Sequence, residues 1–106
     1  TGGATMEIYS RLYISEEAKP KEKKIISKLK RRKMQIGVYV ITLPIGDNDL
    51  LEIYSAAELT QKFYHRISLK VVGIAGSYME AVVLAGQIIN EIYENTGGFD
   101  TREYLK

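Results

Sequence analysis

Residues 69–80 read Leu-Lys-Val-Val-Gly-Ile-Ala-Gly-Ser-Tyr-Met-Glu, and the fold turns on this stretch. Its first seven positions are almost all apolar and rich in β-branched side chains, which suits a strand covered on both faces. The pattern then changes, because Ser77 and Glu80 have the spacing of a capping box, in which a hydroxyl accepts a backbone N–H of the first helical turn and the acid reaches back. The spacing predicts a helix from Ser77 to about Asn95, closed by Thr96-Gly97-Gly98 through a left-handed terminal residue. Asp100 and Glu103 repeat the capping spacing and predict one last short turn.

Residues 36–43 (IGVYVITL) show the same doubly buried composition and predict a central strand. Residues 6–14 alternate instead. Ile8, Ser10, Leu12 and Ile14 fall on one side and Tyr9, Arg11, Tyr13 and Ser15 on the other, the period of a strand with one wet face. Between these strands Pro20 suits the first turn of a helix, and Ile25, Ile26 and Leu29 form one narrow stripe, predicting a helix over 20–33. Asp49-Leu-Leu-Glu52 offers another capping box, and Leu50, Ile53, Tyr54, Ala57, Thr60, Phe63 and Tyr64 share a helical face. A helix over 50–64 is therefore expected, although LLEIYS alone also reads as a short strand. Strand and helix then alternate three times. That order predicts a small single-domain α/β layered sandwich, with a three-stranded, mainly parallel sheet and right-handed crossovers in β-α-β-α-β-α order.

At 106 residues the chain is long enough for one domain that buries about 65% of its unfolded surface without staples. Residues 6–106 are read as that domain, and 1–5 (TGGAT) as an expression remnant ahead of a native Met6. The absence of cysteine excludes a disulfide framework, a thiolate metal site and a cysteine nucleophile. No apolar run reaches the length of about 18 residues that a transmembrane helix needs, so a transmembrane helix is excluded and no membrane partner is assigned; with no export signal and no cysteine, a cytoplasmic location is the default expectation.

The net charge of +2 conceals an asymmetry. From Lys19 to Lys33 nine basic residues stand against Glu22 alone, a formal +8, and the remainder carries −6. Lys23, Lys24, Lys28, Lys30, Arg31 and Arg32 form a basic patch. Such a patch serves as a solvated helix back, meets an acidic protein, or neutralises nucleic-acid phosphates. No aromatic side chain is interleaved in it to stack on bases, and the Tyr9, Arg11, Tyr13 face lacks the RNP consensus.

The long helix after Ser77 carries the second signal. Tyr78, Met79, Ala81, Val82, Ala85, Gly86, Ile88, Ile89, Ile92 and Tyr93 span an arc of about 180°, with Glu80, Gln87, Glu91 and Glu94 as an acidic strip. Covering a sheet needs an arc nearer about 100°, so either a neighbouring helix or another subunit covers the rest. Tyr78, Ala81, Val82, Ala85, Ile89 and Tyr93 are the candidate interface.

Catalytic groups are sparse. His65 has no partner in the sequence for triad chemistry, and Asp47-Asn48-Asp49 with Glu52 lacks the glycine and ligand series of an EF-hand, so neither a catalytic set nor a metal or other cofactor is assigned. Gly73, Gly76 and Ser77, at the carboxyl end of a buried strand and the start of a helix, form a candidate anion-binding turn without the spacing of a nucleotide fingerprint. The expected molecule is a small cytoplasmic binding or assembly domain, a homo-oligomer or accessory subunit without catalysis of its own. The alternative is a nucleic-acid-associated protein using the basic 19–33 helix.

Overall fold

The alternation over residues 6–14 becomes β1 (Met6–Ile14), and the apolar run before Gly76 becomes β4 (Leu69–Ala75), both in the predicted places. The computed structural model describes residues 5–46 and 49–106, so the 1–5 segment, Thr5 apart, and Asp47-Asn48 lie outside the described residues. β4 pairs with β1 in parallel and with β2 (Tyr39–Thr42) in antiparallel fashion, and β3 (Glu52–Ser55) adds antiparallel to β2. The sheet is therefore mixed and four-stranded, in the order β1-β4-β2-β3, rather than three-stranded and mainly parallel.

The difference arises in the 50–64 segment, which is not a helix. Ile53 packs toward one side of the sheet and Tyr54 toward the other, so the β-formers here use both faces of a strand. Glu52, expected to cap a helix, instead accepts the Ile45 N–H at 3.0 Å and the Tyr54 hydroxyl at 3.0 Å, tying the preceding loop to β3. The Ser55 hydroxyl then accepts the Glu58 N–H at 3.0 Å and starts two 3₁₀ turns, Glu58–Thr60 and Lys62–Arg66. Phe63, which the helical spacing groups with Ile53 and Tyr54, is exposed on the second of these turns.

The layers are three. On one side of the sheet α1 (Glu22–Lys30), preceded by a 3₁₀ turn at Lys19–Lys21, packs Ile25 and Leu29 with Ala56 and Leu59 against Val40, Val71 and Ile74. On the other, α2 (Tyr78–Thr96) and α3 (Thr101–Tyr104) cover Ile41, Val72 and Ala75. Alternate residues of β2 and β4 thus bury into opposite cores, each large side chain contributing about 1.5–3 kcal/mol, which is why these strands read as unbroken apolar runs.

β4 carries a bulge at Val72. Ile41 pairs with Gly73 and Thr42 with Val71, so one extra β4 residue intervenes. β1 makes a wider excursion in the same place, from the pair Ile8–Val71 to the pair Tyr13–Gly73. Its Tyr9 and Tyr13 are half-buried under α2, so this face of β1 is not the wet one expected.

Candidate functional site

α2 is bounded as its sequence dictates. The Ser77 hydroxyl accepts the Glu80 N–H at 3.1 Å, and Gly97, left-handed at φ 75°, donates its N–H to the Tyr93 carbonyl at 2.8 Å. Ala81, Leu84, Ala85, Ile88 and Ile92 lie underneath against the sheet. Tyr78, Met79, Val82, Val83 and Tyr93 are exposed on the outer side, with Ile89 half-buried at its margin. Phe99 folds back to stack on Tyr93, ring centroids 5.1 Å apart at 16°, and extends the apolar strip past the helix end.

Tyr39 of β2 meets the Tyr78 ring edge-on at 5.8 Å, and Met79 and Val83 share a hollow with Ile14 and Ser15; among the described elements no helix lies over the face. α1 packs on the opposite side of the sheet, so the neighbouring helix does not supply the missing cover. Of the six candidate interface residues, Tyr78, Val82, Ile89 and Tyr93 border the open strip, whereas Ala81 and Ala85 are core residues beneath the helix. Val83 and Phe99 belong to the strip without being among those six. Val83 is four residues after Met79 and so shares its face, a signal present in the spacing; Phe99 lies beyond the helix, where periodicity is silent.

The Gly73, Gly76, Ser77 turn is already occupied by its own chain. The Gly76 N–H donates to the Ser15 hydroxyl at 3.2 Å and to the Glu80 carboxylate at 3.3 Å, and a Cβ on Gly76 would stand 2.9 Å from the Glu17 carboxylate. Two carboxylates therefore border the place where an anion would sit. Gly73 lies within β4 and faces Ile41.

The basic patch divides in two. Lys23, Lys24, Lys30 and Arg31 are exposed on the outer side of α1, and Lys28 is half-buried. Arg32 turns inward: its Nη1 donates to the Leu59 carbonyl at 3.3 Å and the Tyr64 carbonyl at 3.1 Å, and desolvation lowers its pKa. It belongs to the packing of the 3₁₀ turns. His65 is exposed on the second of those turns.

The acidic strip of α2 is also partly spent. Glu91 accepts hydroxyl hydrogen bonds from Tyr13 and Tyr104, and Tyr9 stacks beside Tyr13 at 6.4 Å. Burial first, then the Glu91 hydrogen bond and charge, push the Tyr13 phenol far above its ordinary range; burial and Glu52 do the same to Tyr54. A phenol whose folded pKa exceeds its unfolded value adds stability that is whole below about pH 10 and is lost as pH rises through the folded pKa. Among the eight tyrosines, Tyr13 and Tyr54 are accordingly expected to ionise last, together with alkaline unfolding. Phenolate absorbance against pH, in the parent and in Tyr13→Phe, checks this; one phase near pH 10 covering every tyrosine would contradict it.

Comparison of the chain with protein-family models, with characterised proteins and with solved structures yields no match in any of the three.

Proposed function

We propose that the protein is an assembly domain, working by binding rather than by its own catalysis, and that a second copy docks on the outer face of α2. The observation that supports this reading is the row of exposed apolar side chains along α2, Tyr78, Met79, Val82, Val83, Tyr93 and Phe99, which no other described helix covers. Gly86 lies exposed in the middle of that strip, and a Cβ placed on it would meet nothing within 4 Å. Two antiparallel α2 helices crossing at Gly86 bring Val82 of one copy toward Ile89 of the other and Tyr78 toward Tyr93. Such a two-fold pairing is self-complementary.

Because this contact is apolar, a dimer at micromolar concentration is expected to persist at high salt, where an ionic contact between the basic patch and the acidic strip dissolves. Sedimentation velocity at low and high salt measures it. Gly86→Arg is expected to give a folded monomer, since the position touches nothing in its own chain. A monomeric parent under both salt conditions, or a Gly86→Arg variant that still dimerises, overturns the reading.

A further inference from the structure

We infer that the outer face of α1, together with the loop after it, is a docking surface for a membrane rich in anionic lipid. Ile25 and Leu29 hold α1 on the sheet and leave Lys23, Lys24 and Lys30 exposed, with Arg31 exposed just past the helix and its guanidinium folded back on Ser27. The ion pairs among the described residues, Lys70 with Glu7 and Lys106 with Glu103, involve none of the nine basic residues of the 19–33 stretch. Its charge is therefore uncompensated by contact. Charge alone does not choose between partners, but the next four residues do.

The chain leaves α1 through a Schellman turn, in which the Lys33 N–H donates to the Lys28 carbonyl at 2.9 Å and the Arg32 N–H to the Leu29 carbonyl at 3.0 Å. It then runs back along the helix, fixed by the Gln35 amide on the Ile25 carbonyl at 3.3 Å, with Gln35 itself buried. The anchoring of Gln35 turns its neighbours outward: Met34 is 59% exposed and Ile36 is 92% exposed. Ile36 borders a hollow shared with Lys21 and Glu17, and Lys21 lines the adjoining hollow with Lys19, Lys23 and Lys24, where Glu22 is the one acid against four lysines. One bare aliphatic side chain, Ile36, thus edges the lysine cluster, with Met34 exposed two residues before it.

A nucleic-acid backbone rewards the lysines and has no use for Ile36, and stacking on bases calls for aromatic rings that this surface lacks. A lipid surface rewards both, since anionic headgroups attract the lysines and the acyl boundary takes up Ile36 and Met34. The surface lies on the opposite side of the sheet from the α2 strip, so it stands independently of any pairing through α2.

The test is cosedimentation of the intact chain with phosphatidylcholine vesicles carrying about one-third phosphatidylserine, with pure phosphatidylcholine as control, at about 50 mM salt. Binding to the anionic vesicles alone is expected. Lys23→Gln with Lys24→Gln weakens it about 25-fold, at about fivefold per charge. Ile36→Ser weakens it about tenfold while leaving the melting temperature unchanged, because the side chain contacts little of its own protein. No binding to the anionic vesicles, equal binding to neutral ones, or an Ile36→Ser variant that binds undiminished overturns the inference. So does tighter binding to duplex DNA or single-stranded RNA than to the anionic vesicles.

Discussion

A Gly73→Val variant is expected to lose about 3 kcal/mol of folding stability, because this glycine makes room for a neighbouring strand. A Cβ at position 73 would stand 3.1 Å from Ile41 Cδ1, 3.4 Å from the Tyr13 carbonyl oxygen and 3.5 Å from Ile41 Cβ. Ile41 is fully buried in the α2-side core with Val72 and Ile88 and has nowhere to retreat. Gly73→Ala meets the same contact with one carbon and costs about 1 kcal/mol, since overpacking outweighs the entropy alanine recovers in the unfolded chain. Ile41→Val removes the offending Cδ1 and alone costs about 1 kcal/mol. Placed on Gly73→Ala, it costs almost nothing. Denaturant unfolding of the parent, the two single variants and the double variant gives the coupling, expected at about 1 kcal/mol. Additive effects, or a Gly73→Ala protein as stable as the parent, would refute the crowding account.

Much of this architecture was legible in the sequence. β1 and β4 fall where the periodicities of 6–14 and 69–75 place them, and the caps at Ser77, Gly97 and Asp100 all form. Those signals are local: a hydroxyl three residues from an N–H needs no tertiary context. The 50–64 segment departs from its spacing because Glu52 to Ser55 join the sheet: Ile53 and Tyr54 find apolar partners on its opposite sides, and the N–H that a side chain caps is that of Glu58, held by Ser55, not that of Glu52. Non-local burial overrode the helical spacing. The candidate site was half legible for a related reason. The arc of about 180° on α2 marks an excess of apolar surface, but spacing alone does not say which half of it meets the sheet, and so does not separate the buried Ala81 and Ala85 from the exposed Val82 and Tyr93. The same limit applies to the basic patch, where composition joined Arg32 to side chains that point the other way.

Replacing Arg32 by alanine is expected to cost about 2–3 kcal/mol, the largest effect among the basic residues of this stretch, whereas Lys23→Ala or Arg31→Ala stays within about 0.5 kcal/mol. The guanidinium links the end of α1 to two carbonyls of the 3₁₀ segment, at Leu59 and Tyr64, and the partly desolvated cation makes those bonds stronger than neutral ones. Arg32 also adopts φ 54°, the left-handed conformation at which helix-ending turns favour glycine. Alanine loses the two hydrogen bonds and keeps that strain, while glycine loses the bonds and sheds about 1 kcal/mol of strain. The difference between Arg32→Ala and Arg32→Gly in denaturant unfolding therefore isolates the backbone cost, and what remains is the guanidinium's share. Lysine, a point donor without the planar fork, recovers less than half of it. Equal stabilities for the alanine and glycine variants would show that the left-handed turn carries no strain, and an unaffected Arg32→Ala would remove the anchor altogether. The same three proteins bear on the surface of α1: a chain that has lost this anchor keeps its outer lysines but frees the turn that sets Met34 and Ile36 beside them.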